Sequence, residues 1–174
     1  MTLKLNSLNK DDLAAFEGKG AADFCNTGLT TADQNHCAHF VCHALGFDKA
    51  TPLCGDMKWA TRKTGVTMRV DGLFNYCTVT GVFDDPKTVP TDMVGKTAFL
   101  VVATLSSNMS ETGGTLFLGS SPKKHVGIYV DGSVWNFSNG RHKVVKDTVE
   151  KFFSKMTSNY GKSTKFYYAY RQDI

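Results

Sequence analysis

The chain has 174 residues, 41% hydrophobic and 21% charged, with a formal net charge of +4. That length suits one domain over residues 1–174 with a real core. The lysines and arginines are scattered, with short clusters at Lys123-Lys124 and around Arg141-His142-Lys143, a solvated surface far from a nucleic-acid footprint.

No apolar run approaches the roughly 18 residues that span a membrane. Residues 1–6 lack the long apolar stretch of a secretory signal. Three readings follow: a cytoplasmic protein, export by a route that needs no cleaved signal, or a trimmed chain. The cysteines at 25, 37, 42, 54 and 77 make an odd number with no CxxC pair. A dense disulfide scaffold is therefore not expected, although a single bridge stays open.

In chain order, Asn9 caps a first helix whose apolar stripe is Leu13, Phe16 and Phe24, with Gly18 and Gly20 positioned to split it. A polar connection leads to a second helix, for which Asn35 is the N-cap. Ala38, Val41, Cys42 and Leu45 fall at i, i+3, i+4 and i+7, and Gly46 is the stop. Residues 66–83 read as a β-hairpin turning at Asp71-Gly72, with Val66, Met68 and Val70 on one strand and Phe74, Tyr76 and Val79 on the other. Residues 97–105 make the strongest strand, 106–114 a mobile polar loop, and the segment from His125 a hairpin about Asp131-Gly132. Asp147, with Glu150 three residues on, opens a last helix striped by Val149, Phe152, Phe153 and Met156. Residues 165–171 close the chain as an aromatic strand. Helices followed by a mostly antiparallel sheet is the α+β pattern.

The chemistry-bearing residues lie on two of these elements. With Asn35 as cap, Cys37 is the second helical residue, where unpaired backbone N–H groups and the helix dipole lower a thiol's pKa. The same N–H groups suit an oxyanion beside the sulfur. Cys42 falls on the core stripe. A two-residue turn at Asp131-Gly132 pairs Val130 with Ser133 and Gly127 with Asn136. His125 and Asn136 then share a face as diagonal neighbours, and Gly127 leaves the imidazole room. An Asn amide oxygen can hold one ring nitrogen and leave the other to the thiol. A bulge would turn Asn136 away and make Asn139 the next candidate. Cys37, His125 and Asn136 are thus the parts of a cysteine nucleophile system. Asp33, Asn35 and His36 precede the nucleophile and are placed to line the cleft, with Trp59 and the 66–76 hairpin as its far wall.

These strings resemble the papain-like NlpC cell-wall cysteine peptidases and their CHAP and secreted-amidase relatives. Those proteins carry D/N-C-x-x-F-V at a helix start, H-V-G/A-I/V-Y/V at a later strand, and a polar third residue on the strand after it. Cys37-Ala38-His39-Phe40-Val41, His125-Val126-Gly127-Ile128-Tyr129 and Asn136 fill those places in that order. His39 replaces the usual small residue, so the helix also resembles the N-C-E-H-F-V string of the lecithin:retinol acyltransferase family. There the histidine precedes the cysteine; here it follows. A third-position histidine, usual in the peptidases, is Asn136 here.

The resemblance implies a papain-like NlpC-type fold that cuts amide bonds of peptidoglycan stem peptides, next to D-glutamate or diaminopimelate. Size and the missing targeting signal look like amidase effectors of bacterial type VI secretion. That likeness implies a protein cytoplasmic in its producer and acting in the periplasm or cell wall of a target cell, with a cognate immunity protein as partner. A monomer without a cofactor is the corresponding expectation. An acyltransferase or thioesterase, or an inactive glycan- or peptide-binding module on the same fold, are the alternatives. His36, His39 and His43 form one helical stripe in which His39 and His43 at i, i+4 can chelate. However, no HExxH glutamate accompanies them, and His36 and His43 stand about 10 Å apart along the axis. A solvent-facing histidine stripe is expected, with no metal.

Overall fold

The computed structural model describes residues 4–25, 30–31, 35–46 and 69–172. Asp33, Cys54, Trp59, Val66 and Met68, all named above, lie outside the described residues.

Asn9 caps α1 (Lys10–Ala14). Its Oδ1 accepts from the N–H groups of Asp11 and Asp12, and the Asp12 carboxylate accepts from the Asn9 N–H, a reciprocal capping box. Gly18, at φ +76°, separates α1 from α2 (Ala21–Phe24), so the expected split occurs. Helix α3 (Cys37–Ala44) is buried along nearly its whole length, and Gly46 leaves it at φ +73°.

The expected turn at Asp71-Gly72 is instead inside a helix, α4 (Val70–Tyr76). Buried Val70, Leu73, Phe74 and Cys77 fall at i, i+3, i+4 and i+7, a helical period that outweighs the alternation read over the same residues. Among the described residues the strand of this region is the short β1 (Val79–Val82). After β2 (Ala98–Leu105), the segment expected to be a polar loop holds a hairpin of β3 (Met109–Thr112) and β4 (Thr115–Leu118), turning on Gly113 and Gly114, both at positive φ.

Strands β5 (Lys124–Val130) and β6 (Ser133–Ser138) turn on Asp131 (φ +49°) and Gly132 (φ +78°). These are the two positive-φ positions of a tight hairpin turn. The register is Val130↔Ser133 and Gly127↔Asn136, as the sequence predicts. Next comes β7 (Lys143–Thr148), an unexpected strand. Thr148, not Asp147, caps α5 (Val149–Tyr160) by accepting from the Lys151 N–H. Strand β8 (Thr164–Tyr170) closes the chain.

Among the described residues six strands form one antiparallel sheet in the order β1-β8-β2-β5-β6-β7, with β3-β4 apart. The protein is α+β with a mostly antiparallel sheet. Alternation sends His125, Gly127, Tyr129 and Asn136 to the face covered by α5, where Phe152 packs 6.0 Å from the His125 ring. Trp135 and Phe137 point to the opposite face. There Phe137 meets the rings of Phe24 and His36, so α2 and α3 cover that side. Helix α4 is tied to β5 by the Lys124–Asp71 ion pair at 2.9 Å. No described helix is long and apolar enough to cross a membrane.

Candidate active site

Helix α3 begins at Cys37, with His36 as its N-cap and no side-chain cap bond from that residue. The capping bond does come from Asn35, whose Oδ1 accepts the Cys37 N–H at 3.0 Å, but the helix itself starts one residue later than expected. Cys37 is therefore the first helical residue rather than the second. The N–H expected to hold an oxyanion is already donated to Asn35.

The Cys37 thiol is 1% exposed. Burial pushes it up to about 11, against the backbone N–H groups of Val126, Ala38 and Cys37 and the Asn35 side chain, which all favour the thiolate. The donors expected at a helix start are present, but desolvation outweighs them. The expectation of a lowered thiol pKa is corrected accordingly. Tyr160, at the end of α5, is near enough to feel the thiolate. Its phenol is pushed up to about 12, first by burial and then by that charge.

His125 sits at the start of β5, 4% exposed. Its Nε2 lies 3.2 Å from Asn136 Oδ1, the diagonal pair the register predicts. The Asn136 amide donates from Nδ2 to Asp147 Oδ2 at 3.0 Å. A carboxylate accepts and cannot donate, so it turns the amide oxygen toward His125, which must carry its proton on Nε2. The ring nitrogen left with a lone pair is Nδ1. Burial lowers the imidazole to about 4; the Asn136 bond and Asp147 oppose this, and the Lys155 charge adds to it. The imidazole is therefore neutral near pH 7.

Asp147 is the residue the sequence reading misplaced. It lies on β7, 3% exposed, in the row that holds Asn136, with Val134 directly across from it. Lys155 Nζ donates to its Oδ2 and also, at 3.4 Å, to Asn136 Oδ1. Lys151 reaches Asp147 Oδ1 at 3.2 Å. Burial pushes the carboxyl up, but the bonds from Lys155 and Asn136 and the nearby lysine charges hold it below the ordinary carboxylate value. The available signal was Thr148, itself a residue type that caps helices. Starting the helix there leaves 143–148 to pair as a strand.

Thiol and imidazole approach the same end of the sheet from opposite faces. The paired register of β5 and β6 begins at Gly127↔Asn136. Ahead of it, the N–H of Val126, next to His125, is directed at the Cys37 sulfur. Among the described residues no hydrogen bond joins the thiol to the ring. Asn139, the alternative orienting residue, instead accepts the His36 N–H on its Oδ1 at 3.2 Å.

His36 does not line an open cleft. It is 1% exposed, its Nε2 lies 2.8 Å from the Thr31 carbonyl, and its Nδ1 lies 3.0 Å from His39 Nδ1. Most of the expected solvent-facing stripe is likewise internal: His43 is half-buried, His39 is 1% exposed, and burial followed by the charges of His43 and His36 lowers His39 to about 3. A concavity of about 470 Å³ opens at the far end of β5, beside Tyr129, Val130, Met93 and Lys96, away from Cys37 and His125. Compared with known proteins, the chain matches no family model, no curated protein and no solved structure.

Proposed function

We propose that this chain is a cysteine hydrolase of the papain-like NlpC type, cleaving an amide bond of peptidoglycan stem peptides. One observation carries the reading: helix α3 starts at Cys37 against the β5 residue that follows His125, whose imidazole is held by Asn136. The type VI effector role, action in the wall of a target cell and the immunity partner rest on the resemblance of the Cys37 and His125 strings.

In this reaction His125 Nδ1 takes the Cys37 proton and the thiolate attacks the amide carbonyl carbon. With the Cys37 N–H held by Asn35, the N–H groups of Ala38 and Val126 are the donors nearest the developing oxyanion. The imidazolium then protonates the leaving amine. Water, giving its proton back to His125, attacks the thioester, releasing a carboxylate and restoring the thiol. Desolvation of Cys37 means that turnover requires the cover over the sulfur to open and Nδ1 to close on it. Catalytic hydrogen bonds commonly tighten only with substrate bound.

The burial of Cys37 also favours a second reading, an inactive binding module on the same scaffold. One experiment separates the two: digestion of purified sacculi by wild type and Cys37→Ala under reducing conditions, with muropeptides identified by mass spectrometry. New fragments that vanish in the variant are expected and name the bond. An unchanged pattern with both proteins would refute the hydrolase.

A further inference from the structure

A second cluster lies outside that machinery. Cys25, at the end of α2, meets His39 and His43 of α3, with one ligand atom from each all within 4.8 Å of one another. We propose that Cys25, His39 and His43 bind one transition-metal ion of the zinc class, joining α2 to the helix that carries Cys37.

The distances carry the argument. His39 Nε2 and His43 Nε2 stand 3.1 Å apart. Two imidazoles on one tetrahedral zinc, each at about 2.0–2.1 Å, have nitrogens about 3.3 Å apart, and a thiolate at about 2.3 Å stands about 3.6 Å from each nitrogen. Small side-chain adjustments bring the three atoms onto one ion. One thiolate and two imidazoles suit zinc, and the hard cations that prefer carboxylates are disfavoured.

The outer shell fits the same conclusion. For Nε2 of His39 to ligate, its proton must sit on Nδ1. That N–H faces His36 Nδ1 at 3.0 Å, and the His36 Nε2–H donates in turn to the Thr31 carbonyl at 2.8 Å. A carbonyl–histidine–histidine relay thus fixes the tautomer that binds metal. On binding, Cys25 releases its thiol proton to solvent and His43 carries its proton on Nδ1. Among the described residues no fourth side chain joins these three, and water fills the fourth position. The ring of Phe24, 5.5 Å from His39 and 5.2 Å from His43, shields the site.

The test uses the whole chain, stripped with chelator under reductant and titrated with Co²⁺, then with Zn²⁺ in competition. Expected is one equivalent of Co²⁺ with tetrahedral d–d bands and a thiolate charge-transfer band. The charge-transfer band should disappear in Cys25→Ser and persist in Cys37→Ser. Zn²⁺ affinity should fall more than 10-fold in His43→Gln, a half-buried position whose variant keeps the measurement open if Cys25→Ser does not fold. Absence of stoichiometric binding would overturn the site and leave the histidines as a neutral hydrogen-bonded chain. A charge-transfer band that survives Cys25→Ser or depends on Cys37 would overturn it as well.

Discussion

Gly127→Ala tests the hairpin on which the His125–Asn136 pair depends. A Cβ at this position would stand 2.6 Å from Val134 Cγ1, 2.9 Å from the Trp135 carbonyl oxygen and 3.2 Å from Asn136 Cβ. The Val134 methyl can rotate, but the carbonyl belongs to the paired strand, and moving it disturbs the β5–β6 ladder. Overpacking of one methyl typically costs 1–3 kcal/mol, and a rigid backbone neighbour places this case near about 3 kcal/mol. For a chain of this length that corresponds to a fall in Tm of roughly 6–12 °C. Urea unfolding followed by circular dichroism measures the loss. Gly140→Ala, with nothing within 4 Å of its Cβ, is the control and should stay within about 0.5 kcal/mol of wild type. If Gly127→Ala were as stable as that control, the close approach of β6 to Gly127, and with it the geometry of the pair, would be wrong.

Two further outcomes concern the polar row behind His125. Asp147→Asn keeps the shape but removes the charge that accepts from Lys155 and Asn136. Because Lys155 retains 29% side-chain exposure and can turn to water, unfolding free energy should drop by about 1–3 kcal/mol. A drop of less than about 0.5 kcal/mol in denaturant titrations would show that Asp147 does not anchor the row. The His125 ring is lowered from the ordinary 6.5 to about 4. The unfolded chain therefore takes up a proton that the folded one refuses. The stability contributed by this group is complete above pH 6.5, declines as pH falls toward 4 and changes no further below it, about 3 kcal/mol in all. His125→Gln should reduce the slope of the stability–pH curve between pH 6.5 and 4, leaving the share that comes from His39, and titration of the wild-type ring near 6.5 by NMR would refute the assignment.

Local chemistry determined much of what the sequence revealed. The cap at Asn9, the Asp131-Gly132 turn, the Gly127↔Asn136 register and the α3 stripe depend on residues a few positions apart, where period and turn type decide the outcome. The pairing of His125 with Asn136 followed because a two-residue turn fixes which side chains share a face. Tertiary packing decided the rest. Residues 70–76 satisfy both alternation and helical period, and burial of Val70, Leu73 and Phe74 selected the helix. Asp147 looked like a cap until β7 paired with β6 and turned its carboxylate toward Asn136. The pKa of Cys37 depends on how much water reaches the sulfur, and Cys25 stands 14 residues from His39 in sequence. Solvent exclusion and long-range proximity are set only when the layers close, so neither the raised thiol nor the Cys25–His39–His43 cluster could be read from the chain alone.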